Sequence, residues 1–141
     1  MTLIQDADRK LIAQRFAELT HDVTLHMFTQ EHECRWCETT RQIVEELAGL
    51  SPKVRAEIHD FLGDPEAVKQ YGIDKIPAIA VVGEQDYRIR FYGVPAGYEF
   101  TPLLEAILDV GRGDPGLPEP VRAELAKIDK PVHLQVMVTP T

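Results

Sequence analysis

The 141-residue sequence has only two cysteines, one tryptophan and no apolar run long enough to cross a membrane. Positive charge is also scarce, because 15 lysines and arginines stand against 23 aspartates and glutamates, for a net charge of −8. Without a basic stripe, neither nucleic acid nor an anionic membrane surface is expected as a partner. Residues 1–19 carry scattered charges and lack the apolar core of a signal peptide, so we expect a cytoplasmic protein.

The two cysteines, Cys34 and Cys37, are three residues apart and lie between a strand pattern and a helix pattern. Residues 23–28 alternate as a buried strand does, and residues 38–50 repeat their apolar side chains with helical spacing. Unpaired N–H groups and the macrodipole stabilise an anion at a helix start. A thiol there loses its proton more readily, and the thiolate is the nucleophile. The arrangement therefore predicts thiol–disulfide redox chemistry.

A purely structural bridge is a poor explanation of this pair, because closing so short a loop gives little stabilisation. In a reversible bridge, Cys34 is expected to attack and Cys37 to resolve the mixed disulfide. The alternatives are two incidental buried thiols or a zinc site. Zinc needs four ligands, and only two cysteines exist. His26 and His32 are nearby, but His26 is on the strand and is expected to point away from the thiols. We therefore expect no metal and no cofactor.

Other side chains have more than one interpretation. Trp36, between the cysteines, is either a core residue or an exposed apolar platform for substrate. Three further histidines are interpreted as surface or internally bonded residues; they are His21, His59 and His133.

The periodicities predict an α/β domain. A helix at about 3–19 is followed by the order β-α-β-α-β-β-α, giving a mixed four-stranded sheet with helices on both faces. Residues 1–112 form this domain, and 113–120 form a linker rich in glycine and proline. Residues 121–141 contain a short helix and a strand at 132–138 that echo the start of the chain, as a second module would.

The predicted C-terminal strand has no module of its own to pair with. Val132, Leu134, Val136 and Val138 form its apolar side. The unpaired backbone N–H and C=O groups of such a strand can pair with another strand. We therefore expect it to join a sheet of the same chain or of a second copy, giving a homodimer.

The order strand, Cys-x-x-Cys, helix, strand, helix, Ile76-Pro77, hairpin, helix resembles the thioredoxin fold. More narrowly, residues 91–100 (FYGVPAGYEF) and 136–141 (VMVTPT) resemble the glutaredoxin-like protein disulfide oxidoreductases of thermophilic microbes. The resemblance implies that Pro77 is a cis-proline facing the thiols, and that the Ile76 backbone pairs with an extended substrate. It also implies two tandem modules, with the second cysteine pair following the point where this sequence ends.

Three functions follow as hypotheses. The leading one is a protein disulfide oxidoreductase that exchanges disulfides with protein thiols, in which a thioredoxin-reductase-type protein can serve as electron donor. The second is a catalytically weak thioredoxin-like module for docking or dimerisation, which the acidic residues Glu31 and Glu33 before the first cysteine favour. The third is the electron-accepting N-terminal part of a peroxidase reductase, which shares a doubled thioredoxin-like design.

Overall fold

Alternating apolar residues build the strands of this chain, and apolar residues three and four apart build its helices. The structure, a computed structural model, describes residues 1–139. The elements in chain order are α1 (Asp6–Phe16), β1 (Val23–Thr29), α2 (Cys37–Ala48), β2 (Val54–Asp60), α3 (Pro65–Tyr71), β3 (Ala78–Val82), β4 (Ile89–Tyr92), a 3₁₀ turn (Gly97–Glu99), α4 (Phe100–Arg112) and α5 (Glu119–Leu125). Pro140 and Thr141, which end one of the segments quoted for the family resemblance, lie outside the described residues.

The strands form one mixed sheet in the order β2-β1-β3-β4. The strand β1 runs parallel to β2, which the α2 crossover requires, and antiparallel to β3, which pairs in turn with β4 as a hairpin. The predicted mixed four-stranded sheet, with an extra helix before it, is confirmed.

Strand β1 is buried on both faces. One face, which carries Leu25 and Met27, packs into the larger core with α1, α2 and α4. The other face carries His26 and Phe28; Phe28 packs with Ala67 of α3 and with Ala78. Helices therefore cover both faces of the sheet, and the α3 side holds the smaller cluster.

The short helix α3 is fixed at both ends by residues suited to those positions. The Asp64 carboxylate accepts a hydrogen bond from the Ala67 amide, and Pro65 occupies the first turn, where its missing N–H is harmless. Gly72 ends the helix with φ of 65°, a conformation that glycine adopts without strain. These caps hold Asp64 and Tyr71 at opposite ends of the helix.

The predictions for the two ends of the chain need correction. Helix α1 covers Asp6–Phe16, which is shorter than the predicted 3–19. Ile4 and Leu19, which supported the longer helix, are buried against the core from outside it, and the Ile4 amide bonds Glu46. The strand predicted at 132–138 is wrong, since this segment forms neither helix nor strand. A strand depends on backbone bonds to a neighbour, which its apolar pattern alone does not supply. Its side chains are exposed, with Leu134 at 87% and Val136 at 83%.

Among residues 1–139, none of the helices combines the length and the apolar character needed to cross a bilayer.

The segment before α1 is tied to α2 by one carboxylate. Glu46 accepts hydrogen bonds from the Leu3 amide at 2.8 Å and the Ile4 amide at 3.0 Å, and it pairs with Arg9 at 3.2 Å. Burial raises the pKa of Glu46, but these backbone bonds, with those from Gln42 and Arg9, outweigh it and hold the pKa below its usual range. The ionised carboxylate therefore stabilises the folded chain.

We expect Glu46→Gln to lower the free energy of unfolding by about 1–2 kcal/mol at pH 7, because an amide is a weaker acceptor than a carboxylate. The folded-state pKa is lowered, so this contribution is complete above the unfolded pKa of about 4.3 and is lost as pH falls through the folded value. Denaturant unfolding of both proteins at neutral and acidic pH measures the difference. Glu45→Gln, which removes an exposed pair with Arg41, is the control and should have a smaller effect. A difference that persists unchanged at acidic pH would contradict the assignment.

Candidate active site

Cys34 and Cys37 are joined by a disulfide, with Cα atoms 5.5 Å apart. Strand β1 ends at Thr29, a loop covers residues 30–33, and Cys37 is the first residue of α2. The predicted cysteine pair at a helix start is thus present, with Cys34 in the turn that precedes the helix. Cys37 donates its backbone N–H to the Cys34 carbonyl at 3.4 Å, which closes this turn.

The two cysteines differ in exposure. Cys37 is buried at 3%, whereas Cys34 is partly exposed. A reaction partner arriving from solvent therefore reaches the Cys34 sulfur first. Cys37 lies behind it, bonded to it, and can displace a group held on Cys34 without any large movement of the chain.

The first turn of α2 leaves amide groups open for an anion. Trp36 is the N-cap residue and offers no side-chain acceptor, so the first amides of the helix receive no side-chain cap. The Trp36 carbonyl accepts bonds from the Thr40 amide at 3.0 Å and the Thr40 hydroxyl at 2.9 Å, which fixes the turn. Together with the macrodipole, uncapped amides favour a thiolate at this end of the helix.

Trp36 is 49% exposed, which excludes the core alternative and fits the platform alternative. The Arg35 guanidinium lies 4.7 Å from the centre of the indole ring. Such cation–π contacts orient exposed rings. The side chain therefore presents an apolar face beside the partly exposed cysteine.

The Ile76-Pro77 segment lies at the same end of the sheet as the cysteine loop. Ala78, the first residue of β3, pairs with Phe28 near the end of β1, so the residues before Ala78 and after Phe28 leave the sheet together. The Ile76–Pro77 bond is cis, the isomer that the family resemblance implies. The Pro77 carbonyl accepts the Gly93 amide at 2.9 Å, which anchors the segment to the loop after β4.

An open cavity of about 410 Å³, not expected from the sequence, lies beside the first turns of α2. It is lined by Leu3, Ile4, Gln5, Asp8, Thr39, Ile43, Ala96, Gly97 and Phe100. Ala96 and Gly97 come from the segment that carries the family resemblance, and Thr39 follows Cys37 by two residues. That segment was the only part of the cavity that the sequence pointed to, because the other lining residues come together only in the folded chain.

A side-chain cluster on the α3 face of the sheet was not predicted from the sequence. His26 points away from the cysteine-bearing helix, as expected, and its ring meets His59 and Glu57 of β2. Part of the cluster could have been predicted from the sequence, because His26 and Glu57 occupy matching positions in the parallel strand pair.

Proteins similar in sequence fall into two groups by length. The chain is 33% identical over 88 residues to a probable thioredoxin from Methanothermobacter thermautotrophicus, covering 62% of this chain and 94% of that protein. It is 37% identical over 93 residues to an alkyl hydroperoxide reductase component from Xanthomonas campestris pv. phaseoli, covering 66% and 15%. It is 26% identical over 142 residues to an NADH dehydrogenase from Bacillus subtilis, covering 99% of this chain and 25% of that protein. The chain thus spans a quarter or less of the two longer relatives. No protein-family model matches it.

The solved structures that share the fold include two that cover most of this chain. The NTD_N/C domain of alkylhydroperoxide reductase AhpF from Enterococcus faecalis superposes with a TM-score of 0.77 at 25% identity, covering 86% of this chain and 59% of that one. A protein disulfide oxidoreductase from Aeropyrum pernix gives the same TM-score at 22% identity, covering 87% and 54%. The latter likeness confirms the resemblance expected from the sequence at the level of fold.

The unequal burial predicts unequal labelling of the reduced thiols. After reduction, we expect iodoacetamide to modify Cys34 at least about tenfold faster than Cys37 near neutral pH, because Cys34 combines exposure with the helix start. Peptide mass spectrometry of timed samples measures both rates. The same protein unfolded in guanidinium is the control and should label both positions alike. Equal rates in the folded protein would contradict the assignment of Cys34 as the more reactive sulfur.

Proposed function

The chain belongs to the thioredoxin superfamily, and from this premise we propose that it is a thiol–disulfide oxidoreductase acting on protein disulfides through Cys34 and Cys37. The observation that carries the proposal is the disulfide itself, which joins a reachable sulfur to a buried one at the start of α2. A purely structural bridge would not need that difference in exposure.

In the reductive direction the Cys34 thiolate attacks a substrate disulfide. A bond forms between Cys34 Sγ and one substrate sulfur, and the other substrate sulfur leaves as a thiolate. The Cys37 thiolate then attacks Cys34 Sγ, which forms the Cys34–Cys37 disulfide and releases the second substrate thiolate. Two electrons pass to the substrate, and an external dithiol or reductase must return them to the cysteine pair. The oxidative direction reverses each step.

Three residues are proposed to hold the substrate. The exposed Trp36 ring provides an apolar contact beside Cys34, and the Ile76 backbone at Pro77 is suited to pair with an extended segment. Support for their grouping comes from the sheet register, which brings the β1 loop and the residues before β3 to one end.

The electron donor is proposed to be a reductase of the thioredoxin-reductase type, in a reducing cytoplasm. The likeness to the alkyl hydroperoxide reductases of Xanthomonas and Enterococcus supports a more specific version, in which this chain corresponds to the N-terminal electron-accepting part of a peroxidase reductase. Residues 121–139 are then proposed to correspond to the start of a second module after the 113–120 linker.

A second candidate role, in association, is favoured by the exposed C-terminal segment. Leu134, Val136 and Met137 are each more than four-fifths exposed, which is unusual for apolar side chains next to one another. A homodimer through this segment stays a prediction, and it now rests on apolar surface instead of a preformed strand.

Trapping the intermediate tests the principal proposal. Reduced Cys37→Ser protein, mixed with an excess of two peptides joined by one disulfide, should accumulate a mixed disulfide on Cys34. The leaving peptide diffuses away, and the protein has no second thiol to release the bound one. Intact and peptide mass spectrometry detect the adduct. The matched Cys34→Ser protein should form none and should lose turnover in a dithiol-coupled reduction assay. Equal turnover by wild type and Cys34→Ser would instead support a module that only docks.

Trp36→Ala should raise KM for a peptide disulfide about three- to tenfold, because an exposed aromatic contact with the peptide is lost. Reduction of a small disulfide without peptide arms should stay at the wild-type rate. Tyr87→Ala is the control, since Tyr87 is 42% exposed in the turn between β3 and β4, at the other end of the sheet. Equal losses on both substrates would show that Trp36 supports the fold and not the substrate.

A further inference from the structure

Three metal-ligating side chains converge on the α3 face of the sheet, away from the cysteines. His26 Nδ1 lies 3.0 Å from His59 Nε2 and 3.3 Å from the Glu57 carboxylate, and His59 Nε2 lies 3.9 Å from the same carboxylate oxygen. We propose that His26, Glu57 and His59 form a binding site for one divalent transition-metal ion of the zinc class.

The distances suit such an ion. Tetrahedral zinc with bonds of about 2.0–2.1 Å separates its ligand atoms by about 3.3–3.4 Å, and the three observed separations bracket this range. Two imidazoles and one carboxylate are a zinc-type ligand set, whereas magnesium and calcium prefer oxygen ligands alone. Glu57 is 57% exposed on the edge strand β2, which leaves the fourth position to water.

Both histidines have a second partner that orients the ring for metal binding. His59 Nδ1 lies 2.9 Å from the Asp64 carboxylate, which fixes the proton there and leaves the Nε2 lone pair facing the cluster. His26 Nε2 lies 3.1 Å from the Tyr71 hydroxyl, so Nδ1 faces the cluster. Stacking of His26 on Tyr71 and of His59 on Phe28 holds both rings in these planes.

The two carboxylates beside the histidines give the cluster a negative charge that a cation would neutralise. Glu57 and Asp64 pair only with histidines among the described residues, and no lysine or arginine neutralises either of them. Arg90, whose charge acts on His26, is itself bound by Asp86 at 2.6 Å.

A hydrogen-bond network without a metal ion is the simpler alternative for the same side chains. His26 Nδ1–H can donate to His59 Nε2, with Tyr71 donating to His26 Nε2 and His59 Nδ1–H donating to Asp64. That arrangement satisfies both rings and gives Asp64 a donor, but it adds no positive charge beside the Glu57 carboxylate. A divalent ion would bind all three atoms at once and tie β1 and β2 to both ends of α3, through Tyr71 and Asp64.

Titration of the oxidised protein with zinc tests the site. The Cys34–Cys37 disulfide must be intact, because free thiols would bind zinc themselves. Calorimetry should show one ion per chain, and zinc should raise the thermal unfolding midpoint. Glu57→Gln, an exposed substitution, should weaken binding at least about tenfold, and Asp64→Asn should weaken it through loss of the orienting charge. His59→Ala should abolish it.

His21→Ala is the matched control, because His21 also pairs with a glutamate, Glu84, but outside the cluster, and zinc binding should be unchanged. Circular dichroism checks that each variant is folded. If a histidine variant does not fold, the exposed Glu57→Gln substitution still tests the site. Absence of binding to the oxidised protein would overturn the proposal. So would zinc binding that survives Glu57→Gln undiminished, or binding that appears only after reduction. None of these outcomes bears on the disulfide exchange, which the cysteine variants test separately.

Discussion

Strand β1 is hydrogen-bonded along both edges and buried on both faces, and the rest of the structure is arranged by this constraint. Its register is fixed by parallel pairing with β2 over seven residues and by antiparallel pairing with β3 over five. A shift by one residue would move Leu25 and Met27 to the α3 face and would place His26 in the larger core. The same register delivers Cys34 to one end of the sheet and His26 to one face.

The chemistry at the end of β1 depends on the different exposure of the two cysteines, Cys34 and Cys37. Cys37 begins a helix whose next turns are anchored by Thr40 and buried through Ile43 and Leu47, so its sulfur lies inside. Cys34 belongs to the preceding turn and stays accessible. In the proposed exchange, accessibility and the uncapped helix amides suit Cys34 to be the nucleophile, and its bond to Cys37 suits Cys37 to be the resolving group. The exposed Trp36 and the Pro77 segment are the neighbouring elements that we propose as the substrate contact.

The two faces of the sheet carry different kinds of interaction. The face under α1, α2 and α4 is apolar throughout, which suits the rigid support of a redox turn. The face under α3 contains an aromatic and polar cluster in which His26, His59 and Tyr71 stack and share hydrogen bonds. Helix α3 has seven residues, and it is held to the sheet by this polar cluster together with the apolar contacts of Ala67 and Val68.

The sequence by itself determined the strands, the order of the core elements and the cysteine pair at a helix start. These features are local, because alternation, helical spacing and the Cys-x-x-Cys interval are read within a few residues. It could not determine whether residues 132–138 become a strand, since a strand exists only with a partner. Nor could it show the His26–Glu57–His59 cluster or the cavity beside α2. His26 is far from Glu57 and His59 along the chain, and only the register of β1 against β2 brings the three side chains within bonding distance. The cavity walls come from residues 3–8, 39–43 and 96–100, which meet only when these segments pack together.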